Sequence, residues 1–166
     1  MNDIYDSTED TRIHIGQVQL FVGALADEMR HRVETHDASK LGSPEKATFD
    51  RVTPSLKALT YDSEEYKASL AEMKSALDHH YAHNRHHPEH FGDAGMCGMT
   101  LIDLLEMFCD WCAATERHAD GDIFKSISAN AKRFGYDIML SKIFSNTARA
   151  YRMGRQAESA ERGDGK

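Results

Sequence analysis

Apolar side chains recur along this chain every three to four residues, the spacing of one helix face, almost from end to end. Ile13, Val18, Leu20, Phe21, Leu25 and Met29 predict a long first helix ending near the pair His36-Asp37. Ser43-Pro44-Glu45 reads as an N-cap, a proline at the first helical position and a first-turn acid, opening a second helix. Asp62-Ser63-Glu64-Glu65 offers a capping box for a third, carried by Tyr66, Leu70, Met73 and Leu77 into a run of histidines. Pro88 and the glycines at 92, 95 and 98 interrupt the pattern and mark a loop. Thr100 then caps an apolar helix bearing Leu101, Leu104, Leu105, Phe108 and Trp111. Two more helices are expected over about 122–134 and 137–153, each begun by an acidic cap. No stretch alternates cleanly enough for a strand. The expected fold is an all-α, single-domain bundle of about six helices over residues 1–153, with residues 154–166 a polar, disordered tail.

Composition narrows the classes. With 40 % hydrophobic and 28 % charged residues, the chain is too apolar for a disordered segment and is long enough for one substantial core. A net charge of −7 argues against a general nucleic-acid binder, which needs clustered Lys and Arg to neutralise phosphates. No apolar run reaches the roughly 20 residues of a membrane helix. The acidic start MNDIYDSTEDTR lacks the apolar core of a signal peptide, so a cytoplasmic location is the expectation. Cys97, Cys109 and Cys112 do not suggest a disulfide framework, and the Cys109-x-x-Cys112 spacing falls inside an apolar helix, where small core residues are the natural reading.

Six of the ten histidines crowd into ALDHHYAHNRHHPEHF, residues 76–91. Imidazole beside carboxylate suits a divalent ion such as Mn, Fe, Co or Zn, and His36-Asp37 supplies both groups next to each other. His14 sits among apolar neighbours, where an imidazole needs a buried partner. Asp103, Glu106 and Asp110 form a carboxylate stripe on an apolar helix, costly to bury without a cation. If the third helix runs through the histidines, His80, His83 and His87 share one face, while His79, His83, His86 and His90 form a competing stripe.

The arrangement His14, His36-Asp37 and a distant Asp110 resembles the metal signature of the HD-domain superfamily, a His, a His-Asp pair and a late Asp on separate helices. His-Asp-Ala-Ser-Lys, residues 36–40, is similar to the His-Asp-x-x-Lys of HD-GYP-type phosphodiesterases, and its first four residues look like those of HD-domain 5′-nucleotidases. Those nucleotidases carry a catalytic Glu where this chain has Lys40. His-His-Pro-Glu, residues 86–89, is similar to the His-His-Glu word of HD-GYP proteins, which brings His86 and Glu89 among the catalytic candidates. Their Gly-Tyr-Pro segment is absent, so cyclic di-GMP hydrolysis is not carried over. As a whole the chain resembles small HD-like proteins of phages and bacteria over roughly residues 10–150.

This resemblance implies one or two divalent transition-metal ions (Mn, Fe, Co or Zn) held by His14, His36, Asp37 and Asp110, with His80 and either His83 or His87 added for a second ion. It implies a phosphohydrolase acting through metal-activated water on a nucleotide or other small phosphorylated molecule. Lys40 or Arg85 would balance the phosphoryl charge, and Arg117 and His118 would contact substrate. The alternatives are a di-iron oxygenase on the same scaffold and a non-catalytic, metal-containing nucleotide sensor. Expected partners are the small phosphorylated molecule and, from the same resemblance, a second copy of the chain; no membrane is expected.

Overall fold

The computed structural model describes residues 5–58, 71–117 and 121–154. All regular structure among them is helical, as the periodicity predicts. The helices are α1 (Thr8–Thr35), α2 (Glu45–Ala58), α3 (Lys74–His83), α4 (Leu101–Glu116), α5 (Ile123–Phe134) and α6 (Ile138–Tyr151). Two 3-10 segments, Ala38–Leu41 and Pro88–Gly98, lie before α2 and before α4. No helix among the described residues is long and apolar enough to cross a membrane.

The chain divides into two compact units, Met1–His36 and Asp37–Lys166. The first is dominated by α1, none of whose residues is buried. The second holds the core. Met107, Phe108 and Cys112 of α4 bury against Ile123 and Ile127 of α5 and Phe144 and Ala148 of α6. The Phe108 and Phe144 rings stack at 5.1 Å between centroids, and Trp111 meets Phe144 edge-on at 5.7 Å. Cys112 is thus a core residue, which is how the Cys-x-x-Cys spacing reads from sequence.

Local chemistry sets the helix ends. The Thr100 hydroxyl accepts from the Asp103 N–H while the Asp103 carboxylate accepts from the Thr100 N–H, closing a capping box that starts α4. Asp122 and Asp137 cap α5 and α6, and Gly135, at φ 70°, ends α5 in the left-handed conformation that glycine enters freely. The box expected at 62–65 lies outside the described residues.

Two boundaries depart from expectation. α3 stops at His83 rather than running on toward Pro88, because Asn84 turns extended and its side-chain amide donates to the His80 carbonyl at 2.8 Å. That bond occupies a carbonyl the next helical turn would have used. Gly154, expected to open a disordered tail, is buried; a Cβ there would meet Ile123 Cγ2 at 3.0 Å, so the packed chain extends past α6. The rest of that tail, 155–166, lies outside the described residues.

Burial pushes the Tyr136 phenol up to about 12, and burial aided by Cys109 and Glu116 pushes the Cys112 thiol up to about 12 as well. Both groups hold their protons more tightly folded than unfolded, so their stabilisation is complete below pH 9 and drains away as pH climbs toward 12. The urea midpoint should therefore fall between pH 8 and pH 10.5, less steeply in Tyr136→Phe. A midpoint that holds or rises over that interval contradicts this account.

Candidate metal centre

Asp37 follows the C-cap residue of α1 and takes a left-handed backbone, φ 56° and ψ 12°, before the 3-10 turn Ala38–Leu41. Non-glycine residues enter this region rarely, Asp and Asn most readily. The Asp37 carboxylate faces His80 of α3. Its Oδ2 accepts from Lys40 Nζ at 2.6 Å. Its Oδ1 lies 3.2 Å from His80 Nε2 and 3.5 Å from His86 Nε2. Burial alone would raise this carboxyl, but the contacts with His80, His86 and Lys40 outweigh it and hold Asp37 far below the usual carboxylate range. It is ionised.

His80 and His86 are both almost wholly buried, and each is backed by a buried glutamate. Glu45, the first residue of α2, brings Oε2 within 3.0 Å of His80 Nδ1. Glu106, on α4, brings Oε1 within 3.1 Å of His86 Nδ1. The Glu45 carboxyl is lowered by these contacts, and an ionised carboxylate only accepts, so His80 Nδ1 carries the hydrogen and its Nε2 is left to present its lone pair inward; His86 repeats the geometry with Glu106. Ser39 Oγ lies 3.3 Å from His80 Nδ1 and accepts from the Asn84 amide at 2.8 Å, which ties the α3 end to the turn Ala38–Leu41. Carboxylate, imidazole and metal in a row is the arrangement by which proteins orient histidine ligands. Glu45 is shared, since its Oε1 lies 2.7 Å from His79 Nδ1, and these contacts lower its carboxyl despite the opposing effect of burial.

The turn after Asn84 swings His87 back so that its Nε2 lies 3.0 Å from His80 Nε2. Burial, then the neighbouring His86 and His80, push this imidazole down to about 3, so it is neutral. One ligand atom each from Asp37, His80, His86 and His87 lies within 4.8 Å of all the others. Ligands about 2.0–2.2 Å from a common ion stand about 3.0–3.6 Å apart in tetrahedral or octahedral coordination, which matches the separations of 3.0, 3.2 and 3.5 Å. A single proton on His80 Nε2 cannot serve Asp37 and His87 together, whereas one divalent ion would satisfy all four atoms. Three imidazoles and a carboxylate suit Zn, Fe, Co or Mn.

The other sequence candidates fall in varied places. Asp110 offers a carboxylate oxygen within 4.8 Å of Asp37, and its negative charge acts on His87. His36 ends the first unit as the C-cap residue of α1 and is half-buried, and His14 sits exposed in the second turn of α1. His83 does not join the cluster: α3 ends on it, and its Nδ1 meets the His79 carbonyl at 2.7 Å on an exposed face. The shared helical stripe of His80, His83 and His87 is thereby corrected, with His80 and His87 brought together by a turn instead. Lys40 flanks Asp37. The Arg85 guanidinium is bidentate to the buried Asp103, at 3.2 and 3.0 Å, and lies 4.9 Å over the Phe91 ring. Asp103 is thus claimed by this pair and by the α4 cap. Glu89 pairs with Arg133 at 2.7 Å, and Arg117 is the exposed C-cap of α4. His118 lies outside the described residues.

The model of a family of unknown function, DUF5662, matches residues 3–151. The chain belongs to DUF5662. No curated protein and no solved structure matches it. In this DUF5662 member the groups that sequence reasoning missed are the supporting ones. Glu45 reads in sequence as an ordinary first-turn acid and Asn84 as one polar residue among histidines. Glu106 carries a signal, since it belongs to the stripe Asp103, Glu106, Asp110 on an apolar helix; the three carboxylates prove to have three uses, an ion pair with Arg85, a bond to His86 and a place near Asp37.

Proposed function

We propose that this protein is a metal-dependent phosphohydrolase acting on a nucleotide or another small phosphorylated molecule. The observation that carries the reading is the convergence of Asp37, His80, His86 and His87, two of whose imidazoles are each oriented by a buried glutamate. The resemblance of His36-Asp37-Ala38-Ser39-Lys40 to HD-type phosphohydrolases supports the same class. Asp37 Oδ1 and the inward nitrogens of His80, His86 and His87 would hold the ion. A divalent ion in that position polarises a phosphoryl oxygen and makes water a better nucleophile near neutral pH.

The chain's own groups would do the rest. Glu45 and Glu106 keep His80 and His86 in one tautomer and orientation, so the site is set before substrate arrives. Asp110, with a carboxylate oxygen within 4.8 Å of Asp37, would accept a proton from an attacking water. Lys40 is held next to the ligand set by its contact with Asp37 and supplies the positive charge that a phosphoryl group needs. In a protein of net charge −7, such local positive charge is what would draw an anionic substrate in.

The test is phosphate release from a panel of nucleoside mono-, di- and triphosphates with Mn, Co or Zn, for the wild type and for Lys40→Ala. Turnover that needs the metal, with KM raised in the variant, supports the reading. A protein that holds stoichiometric metal yet releases no phosphate from any member sinks the hydrolase reading while leaving the centre itself in place.

A further inference from the structure

α1 carries large apolar side chains that its own unit leaves uncovered. The helix runs 28 residues, about 42 Å at 1.5 Å per residue, and none of them is buried. Phe21 and Val33 are each 66 % exposed, Val22 59 % and Leu25 50 %. Contiguous apolar surface of this size on a helix marks a contact. Ile15, Val18, Val22, Leu25 and Met29 follow one another at spacings of three, four, three and four, the repeat of a coiled-coil seam, with Phe21 on one flank and Val33 on the other.

We propose that α1 packs antiparallel against α1 of a second copy along this seam, making the protein a two-fold dimer. Two considerations select a second copy as the occupant. The seam is self-complementary: a two-fold axis beside Val22 sets Ile15 of each copy against Met29 of the other, as an isologous interface requires. The antiparallel alignment also opposes the two helix dipoles. The area also suffices. The uncovered seam and flank side chains amount to on the order of 600 Å² per copy, so about 1,200 Å² across the pair, within the range of stable interfaces.

Light scattering coupled to size exclusion, on the full chain at about 100 μM, a load that suits interfaces of this size, should give twice the 18.7 kDa chain mass. Val22→Glu sets two carboxylates against each other at the axis and should raise the dimer dissociation constant by at least about 100-fold. Leu20→Glu, on the opposite side of α1, should leave the dimer intact. Circular dichroism checks that the variants keep their helix, and Leu25→Glu serves as the seam variant if Val22→Glu does not. A wild type that elutes at monomer mass overturns the proposal. So does a folded seam variant that stays dimeric, or a Leu20→Glu protein that dissociates as readily as the seam variants.

Discussion

Asp37→Asn is expected to strip the protein of stoichiometric divalent metal while leaving its helices in place. Asparagine matches aspartate in shape and tolerates the left-handed backbone at this position, so the substitution removes the charge without disturbing the turn. What it removes is the anionic oxygen that lies 3.2 and 3.5 Å from two histidine nitrogens. The fall in metal affinity should exceed the roughly 10–100-fold that loss of a supporting carboxylate produces. Glu106→Gln provides that comparison, because Glu106 Oε1 meets His86 at Nδ1, the ring nitrogen turned away from Asp37. The graded outcome, a moderate loss in Glu106→Gln and a larger one in Asp37→Asn, is read by titration with Zn or Co followed by metal analysis. Chelation of the wild type should also lower its thermal midpoint, since an ion at 1,000 times its Kd stabilises the folded state by about 4 kcal/mol. Equal and unchanged metal content in all three proteins would remove the centre altogether.

The second large effect belongs to the core. Phe108→Ala should cost about 3–5 kcal/mol, the range for deleting a buried aromatic ring. Phe108 is only 1 % exposed, and its ring stacks on Phe144 while α5 and α6 close around it, so the cavity has rigid walls on three helices. In a chain of this length the thermal midpoint should drop on the order of 10 °C. A loss below about 1 kcal/mol, within the usual range for surface substitutions, would mean that the ring is not enclosed as described.

Much of the helical framework is legible from local rules. Thr100 and Asp103 form the box that their spacing announces, and Asp122, Asp137 and the apolar period of α4 act where the pattern places them. These features depend on residues within one or two turns of each other. The end of α3 is different: it is decided by Asn84, whose amide competes for the His80 carbonyl, and the histidine run around it contains no stop signal of its own. His80 and His87 meet although the seven-residue helical spacing that suggests their meeting does not exist. Glu45 and His80 lie 35 positions apart and have no local pattern linking them. The His36-Asp37 pair points to a metal from composition alone, but the handedness of the backbone that aims the carboxylate is a property of the folded turn.

That handedness has a genetic consequence. Under the proposed metal-dependent function, position 37 answers two demands at once, a backbone at φ 56° and an anionic oxygen facing His80. Asparagine and glycine satisfy the first and lose the charge; glutamate keeps the charge but fits the backbone poorly and reaches too far. Every other side chain fails both demands or pays strain for neither benefit. On that reading aspartate at 37 has no neutral neighbour in codon space. A population of sequences drifting under selection for this site would find position 37 the point from which it cannot step aside.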